Sequence, residues 1–434
     1  MKELEGRIQA RTARIGVVGL GYVGLGLAVE LAKAGFSVVG LDTDSERVER
    51  LSRGENYIGD VAEDDLRAVV ERRGLRATTD WEVVPELDVL ILCVPTPFNR
   101  NKEPDISHVV AATREIAGRL RPGQLVVLES TTYPGTTEEV LLPLLESSGL
   151  RVGTEFSLAY APERVDPANR LFNIANTPRV VGGVTPLCAH LATSLYETIA
   201  VKVIPVSSPR VAEMAKLLEN IFRSVNIALV NELAMLCDCM KIDIWEVIDA
   251  AATKPFGFMS FFPGPGVGGH CIPVDPVYLS WKAREYDFFC NFINLAAEIN
   301  ANMPHFIAQK VVNALVRRRS QVAGSTVLIL GVAFKRDVDD VRNSSALKLI
   351  ELLSCYGLRI LFHDPFVSGI RVGDLTLRSV PLTDDLLASS DCVVIHTDHS
   401  SYDYDWIVTQ APLVVDTRNA TRGVRSGREK IVRL

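Results

Sequence analysis

Two sets of short apolar runs, one towards each end of the chain, repeat one another in order, and this doubling constrains the fold more than any other feature. RIGVVGLG (from Arg14), FSVVGLD (from Phe36), LDVLILCVP (from Leu87) and GQLVVLEST (from Gly123) make the first set. STVLILGVAFK (from Ser325), LRILFHDP (from Leu358), SDCVVIHTDHS (from Ser390) and PLVVDTRN (from Pro412) make the second. In each set helical text joins the first run to the second: GYVGLGLAVELAKAG in one, ALKLIELLSCYG in the other. Runs apolar at successive positions suit strands buried on both faces, in parallel sheets flanked by helices. The expected fold is α/β, with two Rossmann-like doubly wound sheet domains joined by a long central helix. The echo is one of structure and does not require duplication of the sequence.

A chain of 434 residues, 47% hydrophobic and 23% charged, has material for about three ordinary domains. A net charge of -7 argues against a broad nucleic-acid-binding surface, though not against a local basic pocket for a phosphorylated small molecule. The opening MKELEGRIQARTARIG lacks the apolar core of a signal peptide, and no run approaches the roughly 18–20 apolar residues of a membrane span. A cytoplasmic protein with neither membrane nor nucleic-acid partner is expected. Of the eight cysteines, only Cys237 and Cys239 are close in sequence, with no second pair or His cluster to complete a metal site. No metal is expected, and most of the cysteines should be buried small hydrophobes.

Between the sets, the segment from Ser207 to Met240 reads as one helix, with Ser208 as N-cap, Pro209 at the first helical position and Glu213 in the early turns. Val211, Met214, Ala215, Leu218, Ile221, Phe222 and Val225 form an apolar stripe at helical spacing. Core packing explains such a stripe, and so does a dimer interface. Lys216 and Asn220, four residues apart, share a face away from it.

Gly19-Leu20-Gly21-Tyr22-Val23-Gly24 fits GxGxxG, a weak pattern alone. Here it follows a strand, opens a helix, and precedes an acidic residue, Asp42, at the end of the next strand. Such glycines permit a tight turn and close approach of a pyrophosphate, while the helix N-terminus offers free N–H groups. Asp42 suits the ribose hydroxyls and would repel a 2′-phosphate, which favours NAD; Arg47, close by, blurs that exclusion. The matching loop of the second set, Gly331-Val332-Ala333-Phe334-Lys335, lacks the fingerprint, so the second sheet is assigned to the substrate.

From Thr253 to Pro276, TKPFGFMSFFPGPGVGGHCIPVDP is too rich in glycine and proline for regular structure. It holds Cys271, with Gly268 and Gly269 just before it and Asp275 four residues on. A free thiol of pKa about 8.5 is only a few per cent thiolate at neutral pH, so a catalytic Cys271 needs a nearby cation. Spacing alone leaves open whether it is a nucleophile or a packed thiol.

Taken together, GVVGLGYVGL, STTYPGTT, APER, AKLLEN, GPGVGGHCIPVDP and GVAFKRDVDDVRNS, in that order along nearly the whole chain, resemble the UDP-glucose/GDP-mannose dehydrogenase family. The resemblance implies a NAD-binding Rossmann-like domain over 1–206, a central helical domain for dimerisation and the active site over 207–318, and a UDP-sugar-binding Rossmann-like domain over 319–434. It implies oxidation of a sugar C6 alcohol to the acid in two stages, each using one NAD, with a thiohemiacetal and then a thioester on Cys271. Lys216 would stabilise the oxyanion, with Asn220 as a second donor. Asp275 would hold a water with help from Thr131, and Glu163 would assist thioester hydrolysis. Gly19, Gly21, Tyr22, Val23, Gly24, Asp42, Arg47, Thr96, Thr131 and Arg342 would contact the cofactor, Arg342 from the other domain. Glu163, Lys216, Asn220, Gly268, Lys335 and Arg418 would contact the substrate, the cations matching a diphosphate.

Members acting on UDP-glucose carry Ser before the cysteine and Phe-Pro-Lys-Asp after it, whereas this chain has His270 and Ile272-Pro273-Val274-Asp275. The loop resembles the UDP-N-acetylhexosamine subgroup, with UDP-N-acetylglucosamine favoured and UDP-N-acetylmannosamine close behind. Tyr278 and Lys282 have the YxxxK spacing of short-chain dehydrogenases and sugar epimerases, but beyond the NAD domain; packing of Tyr278 and Trp281 on the active-site loop is the simpler expectation. A non-catalytic NAD-binding sensor stands as an alternative of another class, although it would need none of Cys271, Lys216, Asn220 and Asp275.

Overall fold

The computed structural model describes residues 2–59, 61–99, 101–166, 169, 171–318 and 322–434. Fifteen strands are assigned among them: β1 (Arg14–Val18), β2 (Ser37–Leu41), β3 (Leu75–Thr78), β4 (Val89–Leu92), β5 (Leu125–Leu128), β6 (Ser157–Tyr160), β7 (Arg179–Gly183), β8 (Val203–Val206), β9 (Thr326–Leu330), β10 (Arg359–His363), β11 (Gly369–Val372), β12 (Leu375–Arg378), β13 (Cys392–Ile395), β14 (Val414–Asp416) and β15 (Ile431–Arg433). They form two main sheets, in the orders β3-β2-β1-β4-β5-β6-β7-β8 and β10-β9-β13-β14-β15, and a hairpin of β11 and β12. The pairings in both main sheets are parallel except β6 with β7. The eight runs expected from the sequence are β1, β2, β4, β5, β9, β10, β13 and β14.

The remaining strands carry weaker sequence signals. β8 contains Pro205 and lies at the sheet edge, where a missing N–H costs no ladder bond. β7 opens with a buried arginine and ends in two glycines.

The packing explains why the central runs are apolar throughout. Val89 and Ile91 of β4 enter one core and Leu90 and Leu92 another, as do Leu125 with Val127 and Val126 with Leu128 of β5. The second sheet repeats this, with Val327 and Ile329 on one face and Leu328 and Leu330 on the other. Each such side chain is worth about 1.5–3 kcal/mol when fully buried.

Two compact units result, Met1–Glu219 with Val277–Phe288, and Asn220–Pro276 with Phe289–Leu434. The expected first residue of the last domain, 319, lies outside the described residues. The helix Pro209–Met240 has Ser208 ahead of it, whose Oγ accepts from Val211 N at 3.4 Å. No helix among the described residues is long and apolar enough to cross a membrane.

Two expectations need correction. Cys188, Cys290 and Cys392 are buried, but Cys93 and Cys237 are only partly so, and Cys239 and Cys355 are exposed, as is Cys271, the one cysteine singled out for chemistry. Cys239 and Cys355 sit in the last turns of their helices, where the outward face has no sheet to cover it. Core packing explains only part of the apolar stripe: Ile221 is buried and Ala215 and Val225 partly so, but Val211, Met214, Leu218 and Phe222 are exposed, Leu218 by 61%, and Leu229, Leu233, Leu236 and Met240 continue the exposed row. The same helix buries Glu213, Lys216, Ser224 and Asn231.

Candidate active site

In the first unit the glycine loop lies at the carboxyl end of β1, where the strand order reverses between β1 and β4, the usual crevice for a ligand in such sheets. Gly19 has φ +90°, and a Cβ on it would lie 2.7 Å from the Cys93 carbonyl oxygen. A Cβ on Gly24 would lie 1.9 Å from the Gly19 carbonyl oxygen, so the helix Tyr22–Lys33 can pack this close only with glycine there. Around Gly21 a Cβ would meet nothing within 4 Å, which leaves open the space before the helix N-terminus. Val23 sits in the first turn, and the buried Tyr22 hydroxyl has no hydrogen-bond partner among the described residues.

Asp42 follows β2 and braces the loop: Oδ2 accepts from Leu20 N at 2.7 Å and Oδ1 from Asp44 N at 2.9 Å. Arg47 reaches Asp42 at 3.5 Å and Asp44 at 3.3 Å, so its guanidinium is already shared between two carboxylates. Thr96 and Thr131 follow β4 and β5 at the same edge of the sheet. An open glycine turn, a helix N-terminus and a fixed carboxylate fit a dinucleotide with an unphosphorylated ribose.

The long helix is tied to the TYPGTT segment by Glu213, whose carboxylate accepts from Gly135 N at 2.6 Å, Thr137 N at 2.9 Å and Thr137 Oγ1 at 2.6 Å. One turn further, Lys216 is 7% exposed, and no hydrogen bond or ion pair to its ammonium is found among the described residues. Glu163 follows β6; its Oε1 accepts from Arg164 N at 2.7 Å and Val165 N at 2.8 Å, and its Oε2 pairs with Arg179. Arg179 was not singled out from the sequence, because an arginine opening a strand reads as a solvated end. In the same unit Tyr278 Oη donates to the Pro97 carbonyl at 3.0 Å, and Lys282 is held by Glu139 and Glu285 at 2.6 Å each. The Tyr133 ring packs against Trp281 at 5.1 Å, tilted by 45°, so the aromatic contact is with the STTYPGTT segment. Lys282 is thus committed to two carboxylates, which removes the support that a YxxxK tyrosine needs.

The second unit builds the cysteine loop. No helix or strand is assigned between Ala252 and Asp275, and the glycines there are pressed against neighbours. A Cβ on Gly268 would lie 2.7 Å from Phe334 Cβ and 2.9 Å from the Asn343 carbonyl oxygen; one on Gly269, at φ +85°, would lie 2.9 Å from the Phe334 ring. Gly269 N donates to the Arg342 carbonyl at 3.0 Å, and Asn343 Nδ2 to the Gly269 carbonyl at 3.1 Å. Cys271 comes next, exposed, its carbonyl accepting from Val274 N at 3.1 Å and Asp275 N at 2.9 Å.

Asp275 is buried and accepts from Asn220 Nδ2 at 2.5 Å, so these two expected site residues meet directly. Arg342 pairs with Asp340 through Nε at 3.0 Å and a second nitrogen at 2.7 Å. Asp340 chiefly, with the Cys271 charge among the lesser causes, raises the Arg342 pKa. Burial and then Arg342 push the His270 imidazole below its usual range, which keeps it neutral at neutral pH.

At the carboxyl ends of β9, β13 and β14, a pocket of ≈ 420 Å³ is lined in part by Arg336, Asp398, Arg418 and Arg422, with Trp245 and Phe262 beside them. Lys335 precedes Arg336 and is half-buried. Arg418 Nε donates to the His396 carbonyl at 3.1 Å, and burial, with Arg336 next, pushes its guanidinium down to about 10. It is still a cation at neutral pH, and an anionic ligand would relieve its desolvation. The loop after β9 is closed differently from its counterpart: Asp364, following β10, accepts from Val332 N at 2.7 Å and Ala333 N at 3.1 Å, and from His399 at 3.1 Å. The acidic brace is kept while the glycines are not, in line with a single dinucleotide site per chain. No cluster of potential metal ligands occurs among the described residues.

The sequence matches three models of the UDP-glucose/GDP-mannose dehydrogenase family: the NAD binding domain over residues 13–200, the central domain over 210–302 and the UDP binding domain over 328–423. A UDP-N-acetyl-D-glucosamine 6-dehydrogenase from Pseudomonas aeruginosa is 40% identical over 358 residues, 82% of this chain and 83% of that protein. A UDP-N-acetyl-D-mannosamine dehydrogenase from Pyrococcus horikoshii is 37% identical, covering 90% of each chain. A solved structure of UDP-D-ManNAc dehydrogenase from Pyrococcus horikoshii superposes with a TM-score of 0.87 at 34% identity, over 97% of this chain and 98% of that one.

Proposed function

Because the chain belongs to the UDP-glucose/GDP-mannose dehydrogenase family, and is thereby a NAD-dependent UDP-sugar dehydrogenase, we propose that it oxidises C6 of UDP-N-acetylglucosamine to the uronate, in four electrons, as a precursor for surface polysaccharide. The observation that carries the reading is the exposed thiol of Cys271 on a glycine loop clamped by Phe334 and Asn343, with Asp275 four residues on bonded to Asn220. A sensor needs neither the exposed thiol nor the buried lysine.

NAD, when bound, would supply the hydride acceptor for the two oxidations. Gly19, Gly21, Tyr22, Val23, Gly24, Asp42, Arg47, Thr96 and Thr131 would hold it, and Arg342 would contribute from the other domain. Lys216 stabilises the oxyanion that forms at C6, with the remaining Asn220 N–H as a second donor. The Cys271 thiolate adds to the aldehyde, which supplies a tetrahedral carbon for the second oxidation and retains the reactive intermediate. Asp275 and Thr131 order the water that exchanges protons, and Glu163 assists its attack on the thioester. Lys335 and Arg418 bind the diphosphate, and Gly268 lets the substrate approach the loop backbone. The domain limits follow as 1–206, 207–318 and 319–434.

Incubation with UDP-glucose, UDP-N-acetylglucosamine, UDP-N-acetylgalactosamine, UDP-N-acetylmannosamine and GDP-mannose in turn tests the substrate. Two NADH per sugar, fastest with UDP-N-acetylglucosamine, is expected. Preference for the C2 epimer, the substrate named for the Pyrococcus horikoshii relative, or for UDP-glucose would move the assignment within the family. One NADH per sugar would overturn the four-electron chemistry.

A homodimer is part of the same proposal. Eight exposed apolar residues on one helix row are each worth about 1.5–3 kcal/mol when fully covered. Doubled over two copies, the row outweighs the ~4–15 kcal/mol lost on association. Sedimentation should give twice the mass of one chain at micromolar concentration, and Leu218→Glu with Leu229→Glu should give monomer. A monomeric parent protein would remove the proposal.

A further inference from the structure

The first unit contains a buried ion pair, Arg179 with Glu129, that the proposed roles do not use. Arg179, 2% exposed, opens β7 and forks between two carboxylates: one nitrogen bonds Glu129 Oε1 at 2.5 Å and another pairs with Glu163 Oε2. Glu129 follows β5 and is itself buried; its second oxygen accepts from Tyr196 Oη at 2.8 Å. The Tyr196 ring lies 4.8 Å beneath the guanidinium carbon of Arg179. The Arg179 Nε–H is buried without a hydrogen-bond partner among the described residues, so the whole polar commitment of this side chain is to the two glutamates. Cys93, after β4, is the other titratable group facing Glu129, and the pair Arg164 and Glu219, at 2.6 Å, flanks Glu163 on its far side.

One guanidinium cannot fully neutralise two buried carboxylates. Burial, opposed by Arg179 and reinforced by Glu163, pushes Glu129 up to about 7, so its charge changes within the working range of a cytoplasmic enzyme.

We propose that Glu129 and Arg179 are positioning residues for thioester hydrolysis, in which the ionisation of Glu129 decides how much of Arg179 is left to hold Glu163. The inference rests on the preceding assignment of Glu163 to that step. In the step, a water oxygen forms a bond to the thioester carbon and its proton passes to Glu163. The C–S bond then breaks with its electron pair on Cys271, giving the free acid and the thiolate. With Glu129 protonated, Arg179 belongs to Glu163 alone, and a carboxylate so tightly paired is a poor acceptor for the water proton. With Glu129 ionised, the guanidinium is shared, a second negative charge lies nearby, and Glu163 takes the proton readily. Hydrolysis therefore accelerates as pH rises through the Glu129 titration.

The test follows the covalent intermediate. Full-length wild type, Glu129→Gln, Arg179→Lys and Glu163→Gln are mixed with NAD and UDP-sugar, quenched at intervals, and weighed intact for an acyl group on Cys271. The expected result is accumulation of that adduct in all three variants, with hydrolysis slowed at least about tenfold and the Kd for NAD nearly unchanged. Glu129→Gln should also lose the rise of kcat with pH near neutrality. Tyr196→Phe, which removes only the hydroxyl stabilising ionised Glu129, should move that rise to higher pH. It provides the same readout should Glu129→Gln fail to fold. A wild-type pH profile in both Glu129→Gln and Tyr196→Phe overturns the proposal, as does an equal loss of both oxidations together with NAD affinity. An adduct in Glu163→Gln but in neither Glu129→Gln nor Arg179→Lys condemns this inference alone. Absence of any adduct even in Glu163→Gln condemns the role given to Glu163 in the function itself.

Discussion

Cys271→Ser is expected to lower steady-state NADH formation on the order of 10³-fold while leaving the protein folded. A serine hydroxyl is almost wholly protonated at neutral pH, and the adjacent Arg342 guanidinium, a cation with no lone pair to offer, cannot take its proton. The loop itself should not notice the change. The thiol is exposed, and the loop is fixed by its glycines, by the Gly269 N bond to the Arg342 carbonyl and by the Asn343 side-chain bond to the Gly269 carbonyl, so the stability change should stay within about 0.5 kcal/mol. Thermal unfolding of the two proteins side by side, with NAD binding measured by titration, separates chemistry from folding. Undiminished turnover in the serine variant would place the chemistry elsewhere.

Lys216→Met should cost about 10²–10³-fold in kcat, the usual loss when a single oxyanion donor is removed. Methionine preserves the length and apolar stem of a side chain that is 7% exposed, so the packing loss is small. Removing a buried ammonium that finds no counter-charge among the described residues should, if anything, raise the unfolding temperature. A variant more stable yet far slower is the signature of a charge retained for chemistry. Activity within a few-fold of the parent, measured as single-turnover NADH formation at saturating substrate, would reduce Lys216 to a structural residue.

Much of this was legible because it is local. Gly19, Gly24 and Asp42 announce a dinucleotide turn within a short stretch, and the structure shows why each is needed: a positive φ at Gly19, a 1.9 Å clash at Gly24 and a brace on Leu20 N from Asp42. The eight central strands were legible for a similar reason, since residues feeding two cores alternately must all be apolar. The edge strands were not: β8 tolerates proline and half-exposed residues because nothing covers it fully.

The long helix shows the limit of pattern. Its apolar stripe has the period of a core-facing surface, yet Val211, Met214, Leu218 and Phe222 of that stripe are exposed while Glu213, Lys216 and Asn231 are buried. Periodicity finds the two faces of a helix but not which one the protein covers. The choice depends on partners distant along the chain, such as the Gly135 and Thr137 amides that hold Glu213 from more than seventy residues away.

The order of residues alone determined two doubly wound sheets, one dinucleotide turn and a cysteine on a glycine loop, because torsion preferences and strand alternation are properties of neighbouring residues. Only the tertiary structure decided that Asn220 meets Asp275, and that Arg179 lies between Glu129, fifty positions before it, and Glu163, sixteen before it. The physical reason is that burying a charge such as that of Arg179 is costly without compensating groups, and the fold brings those groups from the ends of β5 and β6 to the start of β7.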